Sequence, residues 1–195
     1  MNRLYKQQGK FEFCKQFAKL ESEVERMEII LLNENNFCYD SLDSFSRYQI
    51  VEYEYGLVNG ELQLFHNPFI DDWSAERKRE KANEILSGKH IVYGAVDENR
   101  VVGIILLCLE LDHNRMIIDS FHVSADKRSC GIGKKLFNAA KKEAEKQGAA
   151  ALYVSASPAQ ETIDFYVKMG FKVSQNPIES YANDEPGDIQ MECEL

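Results

Sequence analysis

One segment, residues 121–136, constrains the fold of this chain more than any other. An apolar run leads into a polar loop, then into two glycines one residue apart, and then into a long amphipathic helix with apolar residues at four-residue spacing. The first N–H groups of a helix lack internal partners and lie at the positive end of its dipole, so they bind phosphate groups well. Because glycine lets a ligand approach the backbone closely, Gly131 and Gly133 predict a pyrophosphate site made largely of main chain.

Two common phosphate-binding motifs do not fit this segment. A P-loop requires Gly-x-x-x-x-Gly-Lys-Ser/Thr, whereas residues 133–135 are Gly-Lys-Lys. The dinucleotide-binding fingerprint requires a further glycine where this chain has Leu136. The string that remains, Arg-x-x-Gly-x-Gly over residues 128–133, resembles the acetyl-CoA signature of the GNAT N-acetyltransferase family.

A second motif supports the resemblance. The helix after the glycines is followed by Gly148, and the short apolar segment 150–155 predicts a buried parallel strand. The string Phe-Tyr-x-x-x-Gly-Phe over residues 165–171 is also similar to GNAT proteins, and it stands at the expected distance from the glycines. The resemblance covers residues 91–173. It implies an α/β (α+β) fold, with a mixed, largely antiparallel central sheet flanked by helices and a V-shaped opening for acetyl-CoA.

The rest of the chain is assigned from its patterns. Residues 27–195 are expected to form that single domain, after an N-terminal helical extension over residues 1–26 that packs on the domain or forms a homodimer contact. Alternation over residues 47–55 and an Asn-Gly pair predict a β-hairpin over residues 47–65, where GNAT proteins usually have a helix. We therefore expect an unusual acceptor site. The remaining expected elements are strands at 27–32, 90–96, 101–111 and 116–123 and a helix at 74–86.

Composition excludes several classes of function. No apolar stretch approaches twenty residues and no charged-then-apolar leader is present, which predicts neither a membrane span nor secretion. The net charge of −9, with an acidic segment at 173–195, argues against nucleic-acid and anionic-membrane partners and is compatible with a cationic amine. Five scattered cysteines predict reduced thiols and a cytoplasmic location, and four dispersed histidines predict no metal site.

The resemblance implies a reaction as well as a fold. Acetyl-CoA would be the co-substrate, and its acetyl group would pass to a primary amine of a small molecule or peptide by direct attack in a ternary complex. A non-catalytic acetyl-CoA-binding sensor or interaction subunit is the alternative. Main-chain groups of the strand ending at residue 123 would bind the pantetheine arm. The residues implied to contact the cofactor are Phe121, His122, Val123, Arg128, Ser129, Cys130, Gly131, Ile132, Gly133, Lys134, Ser157 and Tyr166.

Acetyl transfer to an amine requires both an acid and a base. A lysine-like amine has a pKa of about 10.4, so it must lose a proton before it can attack. The resemblance implies that Tyr166 acts as general acid toward the departing thiolate, since a phenol is protonated at neutral pH. Glu110, Asp119 and His122, on strands that lead toward the site, are candidates for the base. Strand alternation places Asp119 on the opposite face from His122.

Overall fold

The apolar runs form one seven-stranded sheet with helices on both of its faces, together with a separate two-stranded hairpin. This computed structural model describes residues 27–195, so the expected helical extension over residues 1–26 lies outside the described residues. In chain order the elements are β1 (Glu28–Leu31), β2 (Gln49–Val58), β3 (Glu61–Asp71), α1 (Ala75–Leu86), β4 (His90–Asp97), β5 (Arg100–Cys108), β6 (Arg115–Val123), a 3₁₀ turn (Ala125–Lys127), α2 (Ile132–Lys146), β7 (Ala151–Ala156), α3 (Gln160–Lys168), β8 (Lys172–Val173), α4 (Glu179–Asp184) and β9 (Ile189–Glu194).

The sheet has the strand order β1-β4-β5-β6-β7-β9-β8. Within residues 27–195, β6 and β7 form its one parallel pair, and the other neighbouring strands are antiparallel. The mixed, largely antiparallel sheet expected from the resemblance is confirmed. None of the helices among these residues is long and apolar enough to cross a membrane.

The parallel pair separates partway along its length. It begins at Arg115 and Ala151 and ends at Ile118 and Val154, after which β6 continues to Val123 without pairing to β7. Backbone groups of β6 beyond that point face β7 across a gap instead of a ladder of hydrogen bonds. The gap is the V-shaped opening that the fold was expected to contain.

Alternation along β5 sends side chains to two separate cores. Ile105 and Leu107 join the main core under α2 and α3, whereas Ile104 and Leu106 join a second core under α1. Helix α2 lies very close to the sheet, because a Cβ at Gly103 would be 2.8 Å from the Leu136 side chain. The buried stripe predicted for this helix is confirmed, with Ile132, Leu136, Ala140 and Ala144 each at most 1% exposed.

A β-bulge in β6 overturns one sequence expectation. Leu107 pairs with Ile118 and Leu106 pairs with Ser120, so Asp119 is an extra residue on its strand. The bulge resets the alternation, and the Asp119 carboxylate lies 3.7 Å from the ring of His90, on the α1 face. The ring of His122 is on that face as well. The prediction that Asp119 and His122 lie on opposite faces is therefore wrong.

The predicted hairpin forms and is longer than expected. β2 and β3 meet at a turn whose Asn59 and Gly60 both have positive φ, 54° and 82°, as a tight two-residue hairpin turn requires. The hairpin extends to Asp71 instead of residue 65. It packs against the start of α3, where the Tyr55 N–H donates to the Pro158 carbonyl at 2.8 Å.

The C-terminal segment is part of the sheet. Strand β9 lies between β7 and β8, and its Ile189, Met191 and Cys193 side chains are buried in the main core. These alternating apolar residues lie within residues 173–195, which the sequence analysis described only as acidic. A second difference concerns β5, which ends at Cys108 and not at residue 111.

Candidate functional site

A cleft of about 840 Å³ opens where β6 separates from β7. Its walls are the end of β6, the loop and first turn of α2, one side of α3, and residues 47–50 before and at the start of β2. Two predicted cofactor residues, Cys130 and Ser157, do not line it, and Cys130 packs against the main core instead. Ten predicted cofactor residues do line it: Phe121, His122, Val123, Arg128, Ser129, Gly131, Ile132, Gly133, Lys134 and Tyr166.

The loop before α2 has the backbone geometry of an anion site. Ser129 and Gly131 both have positive φ, 62° and 78°, which turns the chain sharply into the helix. Gly131 occupies the N-cap position, and no side chain among residues 27–195 caps the helix there. The first N–H groups of α2 therefore face the cleft at the positive end of the helix dipole.

Gly133 has a different role from Gly131. A Cβ at Gly133 would lie 3.0 Å from the Phe165 ring, whereas a Cβ at Gly131 would meet nothing within 4 Å. Gly133 thus lets α2 approach α3 closely, and Gly131 supplies a conformation that other residues adopt with strain. The two glycines of the motif serve packing and backbone geometry respectively.

Two arginines give one wall of the cleft its positive charge. Arg128 comes from the predicted motif, and its Nε donates to the Val123 carbonyl at 3.3 Å. Arg47, which the sequence did not single out, is mostly buried and forms an ion pair with Asp71 at 2.6 Å. Burial lowers the pKa of Arg128, and the charge of Arg47 lowers it further. An anion bound between these guanidinium groups would relieve their repulsion.

His122 is held by its neighbours. Arg47 Nε donates to His122 Nδ1 at 3.1 Å, and the Trp73 ring lies edge-on to the imidazole with centroids 4.7 Å apart. Burial lowers the pKa of His122 well below its ordinary value, and the nearby charges of Arg47 and Lys81 lower it further. The imidazole is thus neutral at pH 7, with Nδ1 as acceptor. This environment opposes a role as proton acceptor.

Tyr166 lies at the apolar floor of the cleft and is 5% exposed. The rings of Phe121, Phe165 and Phe171 surround it, with centroid distances of 6.4, 5.6 and 5.0 Å. Burial raises the pKa of the Tyr166 phenol well above its usual value, and the charge of Asp188 adds to that shift. The hydroxyl therefore carries its proton at neutral pH.

The other two base candidates lie away from the cleft. Glu110 is an exposed residue in the turn after β5, near the end of β6 opposite the glycine loop. Asp119, in the bulge, contacts His90 and accepts a hydrogen bond from Ser120. Neither side chain lines the cleft.

A carboxyl group that the sequence reading missed, Asp188, lies beside β7 and outside the set of residues that line the cleft. Asp188 immediately precedes β9 and lies near Ser155, the first β7 residue beyond the last β6–β7 pair. Burial raises the pKa of Asp188 to about 7, and the neighbouring Glu185 carboxyl contributes to the shift. Its charge also acts on the Tyr166 phenol. The signal in the sequence was the Pro186-Gly187 turn, directly before alternating apolar residues.

The hairpin and α3 bring acidic groups to the cleft as well. Glu161 and Asp164 of α3 line the cleft beside residues of β2. The Tyr55 hydroxyl donates to Asp164 at 2.9 Å, and the Gln49 amide donates to Glu161 at 3.2 Å. These bonds fasten the hairpin to α3 and leave carboxylates at the edge of the cleft.

Comparison with known proteins identifies what this architecture is similar to. The family model of the acetyltransferase (GNAT) domain matches residues 57–194. No curated protein matches the chain. Solved structures match it at low sequence identity and high coverage.

Three of these structures illustrate the likeness. A Bacillus anthracis protein provisionally described as a streptothricin acetyltransferase, solved with acetyl coenzyme A, has a TM-score of 0.66 and 19% identity, covering 87% of this chain and 98% of its own. Nourseothricin acetyltransferase has a TM-score of 0.66 and 13% identity, with the same coverage. The ribosomal-protein-S18-alanine N-acetyltransferase of Escherichia coli has a TM-score of 0.55 and 13% identity, covering 87% of this chain and 94% of its own. At these identities the likeness concerns the fold.

Proposed function

We propose that this chain, which belongs to the GNAT acetyltransferase family, transfers the acetyl group of acetyl-CoA to the primary amine of a small molecule or peptide, by direct attack in a ternary complex. One observation carries the proposal. The start of α2, with no side-chain cap among the described residues, opens into the gap between β6 and β7 beside Arg47 and Arg128. A pyrophosphate fits the charge of this wall, and a pantetheine arm fits the gap.

Each part of the donor has a matching group in the cleft. The first N–H groups of α2 and the two guanidiniums would bind the pyrophosphate. Main-chain groups of β6 beyond Ile118 lack a β7 partner and would bond the pantetheine arm. An N–H of the same strand would polarise the thioester carbonyl, which stabilises the developing oxyanion.

Tyr166 and Asp188 would divide the proton transfers between them. The amine nitrogen attacks the thioester carbonyl carbon, the carbon–sulfur bond breaks, and the thiolate takes its proton from the Tyr166 hydroxyl. The amine gives up its own proton to Asp188, whose pKa of about 7 suits a general base at neutral pH. Asp188 takes this role in place of Glu110, Asp119 and His122 because its charge acts on the Tyr166 phenol. Glu110 and Asp119 lie away from the cleft, and His122 accepts a hydrogen bond from Arg47.

The acceptor is expected to be cationic. Glu161 and Asp164 line the cleft, and Gln49 links Glu161 to Arg47 because it accepts from Arg47 and donates to Glu161. A protonated amine that enters the cleft would meet these carboxylates, which favour a cationic acceptor. This charge arrangement supports a small polyamine-like or basic peptide acceptor.

Turnover with a panel of amines tests the proposal. We expect thiol release from acetyl-CoA that depends on one class of cationic amine and falls about 10²–10⁴-fold in Tyr166→Phe, with acetyl-CoA binding retained. Tyr39→Phe, which removes an exposed hydroxyl elsewhere, is the matched control and should keep full activity. Acetyl-CoA binding without turnover on any amine would instead favour the sensor alternative.

A further inference from the structure

The fold brings together three potential metal ligands that lie far apart in the sequence. His90 begins β4 and Cys108 ends β5, and the two are direct partners across those strands. Asp119 is the extra residue of the β6 bulge, which turns its carboxylate toward them. Their ligand atoms all lie within 4.8 Å of one another. The dispersed histidines gave no sign of this cluster in the sequence.

The hydrogen bonds around the His90 ring are incomplete. His90 Nε2 and Asp119 Oδ1 are 3.7 Å apart, which is too far for a hydrogen bond. His90 Nδ1 is buried and has no hydrogen-bond partner within the part of the chain that the structure describes. Two ligands of one tetrahedral zinc ion, with bonds of about 2.0–2.2 Å, stand about 3.3–3.6 Å apart. The observed spacing is close to that of two groups sharing an ion.

The surroundings suit a cation held by these side chains. Ser120 Oγ donates to Asp119 Oδ2 at 3.3 Å, which leaves Oδ1 directed toward His90. The hydroxyl of Tyr181 lies 3.7 Å from Cys108 Sγ and can donate a hydrogen bond to a metal-bound thiolate.

We propose that His90, Cys108 and Asp119 form a binding site for a zinc-class divalent ion. One imidazole, one thiolate and one carboxylate are ligands that zinc accepts, and the two anionic ligands balance its charge. The fourth position is left to water. None of the three residues lines the cofactor cleft, so the ion would brace the start of β4, the end of β5 and the bulge of β6.

Cobalt binding tests the site on the full chain. After chelator treatment, Co²⁺ titration should give one ion per chain and an intense thiolate-to-cobalt absorption band, and Zn²⁺ should displace the cobalt. Cys108→Ser should lose the band, and Asp119→Asn should weaken binding by more than about 100-fold. Cys38→Ser removes an exposed thiol elsewhere and should leave the titration unchanged.

A milder variant covers the case in which a ligand variant fails to fold. Ser120→Ala removes the outer-shell hydrogen bond and keeps all three ligands, so it should bind Co²⁺ about 10–100-fold more weakly. Circular dichroism, recorded in parallel, shows whether each variant is folded. Failure of the wild type to take up one ion, or uptake indifferent to both Cys108→Ser and Ser120→Ala, would overturn the proposal.

Discussion

The neutral imidazole of His122 makes a defined contribution to the pH dependence of stability. Arg47 donates to its Nδ1 and the Trp73 ring packs against it, and burial with nearby positive charge lowers its pKa well below 6.5. In the unfolded chain the same ring titrates at about 6.5. Below about pH 6.5 the ring binds a proton in the unfolded state but not in the folded state, so the free energy of unfolding decreases as pH falls.

The size of the effect follows from linkage. Below pH 6.5 the loss approaches about 1.4 kcal/mol per pH unit until the pH reaches the lowered folded-state pKa. Between pH 7.5 and pH 5.5 the imidazole should therefore cost up to about 1.4 kcal/mol, the limit for a ring that stays neutral in the folded state. His122→Gln keeps an acceptor for Arg47 but removes the titration. The variant should lose less stability than the wild type over this interval, by up to about 1.4 kcal/mol.

Urea unfolding at the two pH values, followed by circular dichroism, measures this difference. The other titrating groups are common to both proteins, so their contributions cancel in the comparison. Asp188 is one of them, and because its pKa is raised, it increases the free energy of unfolding as pH falls, opposite to His122. His66→Gln, on the exposed hairpin, is the matched control and should retain the wild-type pH dependence. Equal losses in the wild type and His122→Gln would refute the account of a buried, neutral ring.

Two further predictions concern the cleft. Gly133→Ala should destabilise the protein by about 1–3 kcal/mol in urea unfolding, because its Cβ would meet the Phe165 ring at 3.0 Å. Adding Phe165→Leu should recover part of that loss, and no recovery would argue against the clash. Asp188→Asn should lower kcat/KM at pH 7 about 10²–10⁴-fold and remove an acid limb near pH 7. Glu185→Gln should only move that limb to lower pH, and an unchanged profile in Asp188→Asn would exclude it as the base.

Local patterns predicted the elements whose signals are local. The four-residue stripe of α2 and the Asn59-Gly60 turn each follow from short-range rules, and both form as expected. The glycine loop was also readable, because its motif has a fixed spacing between Arg128 and the helix start. These features depend on residues within one turn or one hairpin of each other.

The features that were missed depend on tertiary register. The bulge at Asp119 arises from how β6 pairs with β5, and the residue types in β6 do not predict it. Arg47 reaches His122 from a distant part of the chain, so their contact has no sequence spacing to detect. Asp188 lies in an acidic segment, and its charge was considered there without the alternating apolar residues of β9 that follow. Each required the sheet to be assembled first.

Binding of acetyl-CoA is the measurement that tests the central claim most directly. Calorimetry on the wild type should show saturable binding of one acetyl-CoA per chain, and a folded Gly131→Asp, Gly133→Asp double variant should show none. The first substitution places a carboxylate at the N-terminus of α2, and the second pushes against the Phe165 ring. In a parallel unfolding experiment, ligand at a hundred times its dissociation constant should stabilise the wild type by about 2.7 kcal/mol. No binding by the folded wild type would contradict the account, because the glycines would then serve only to begin a helix.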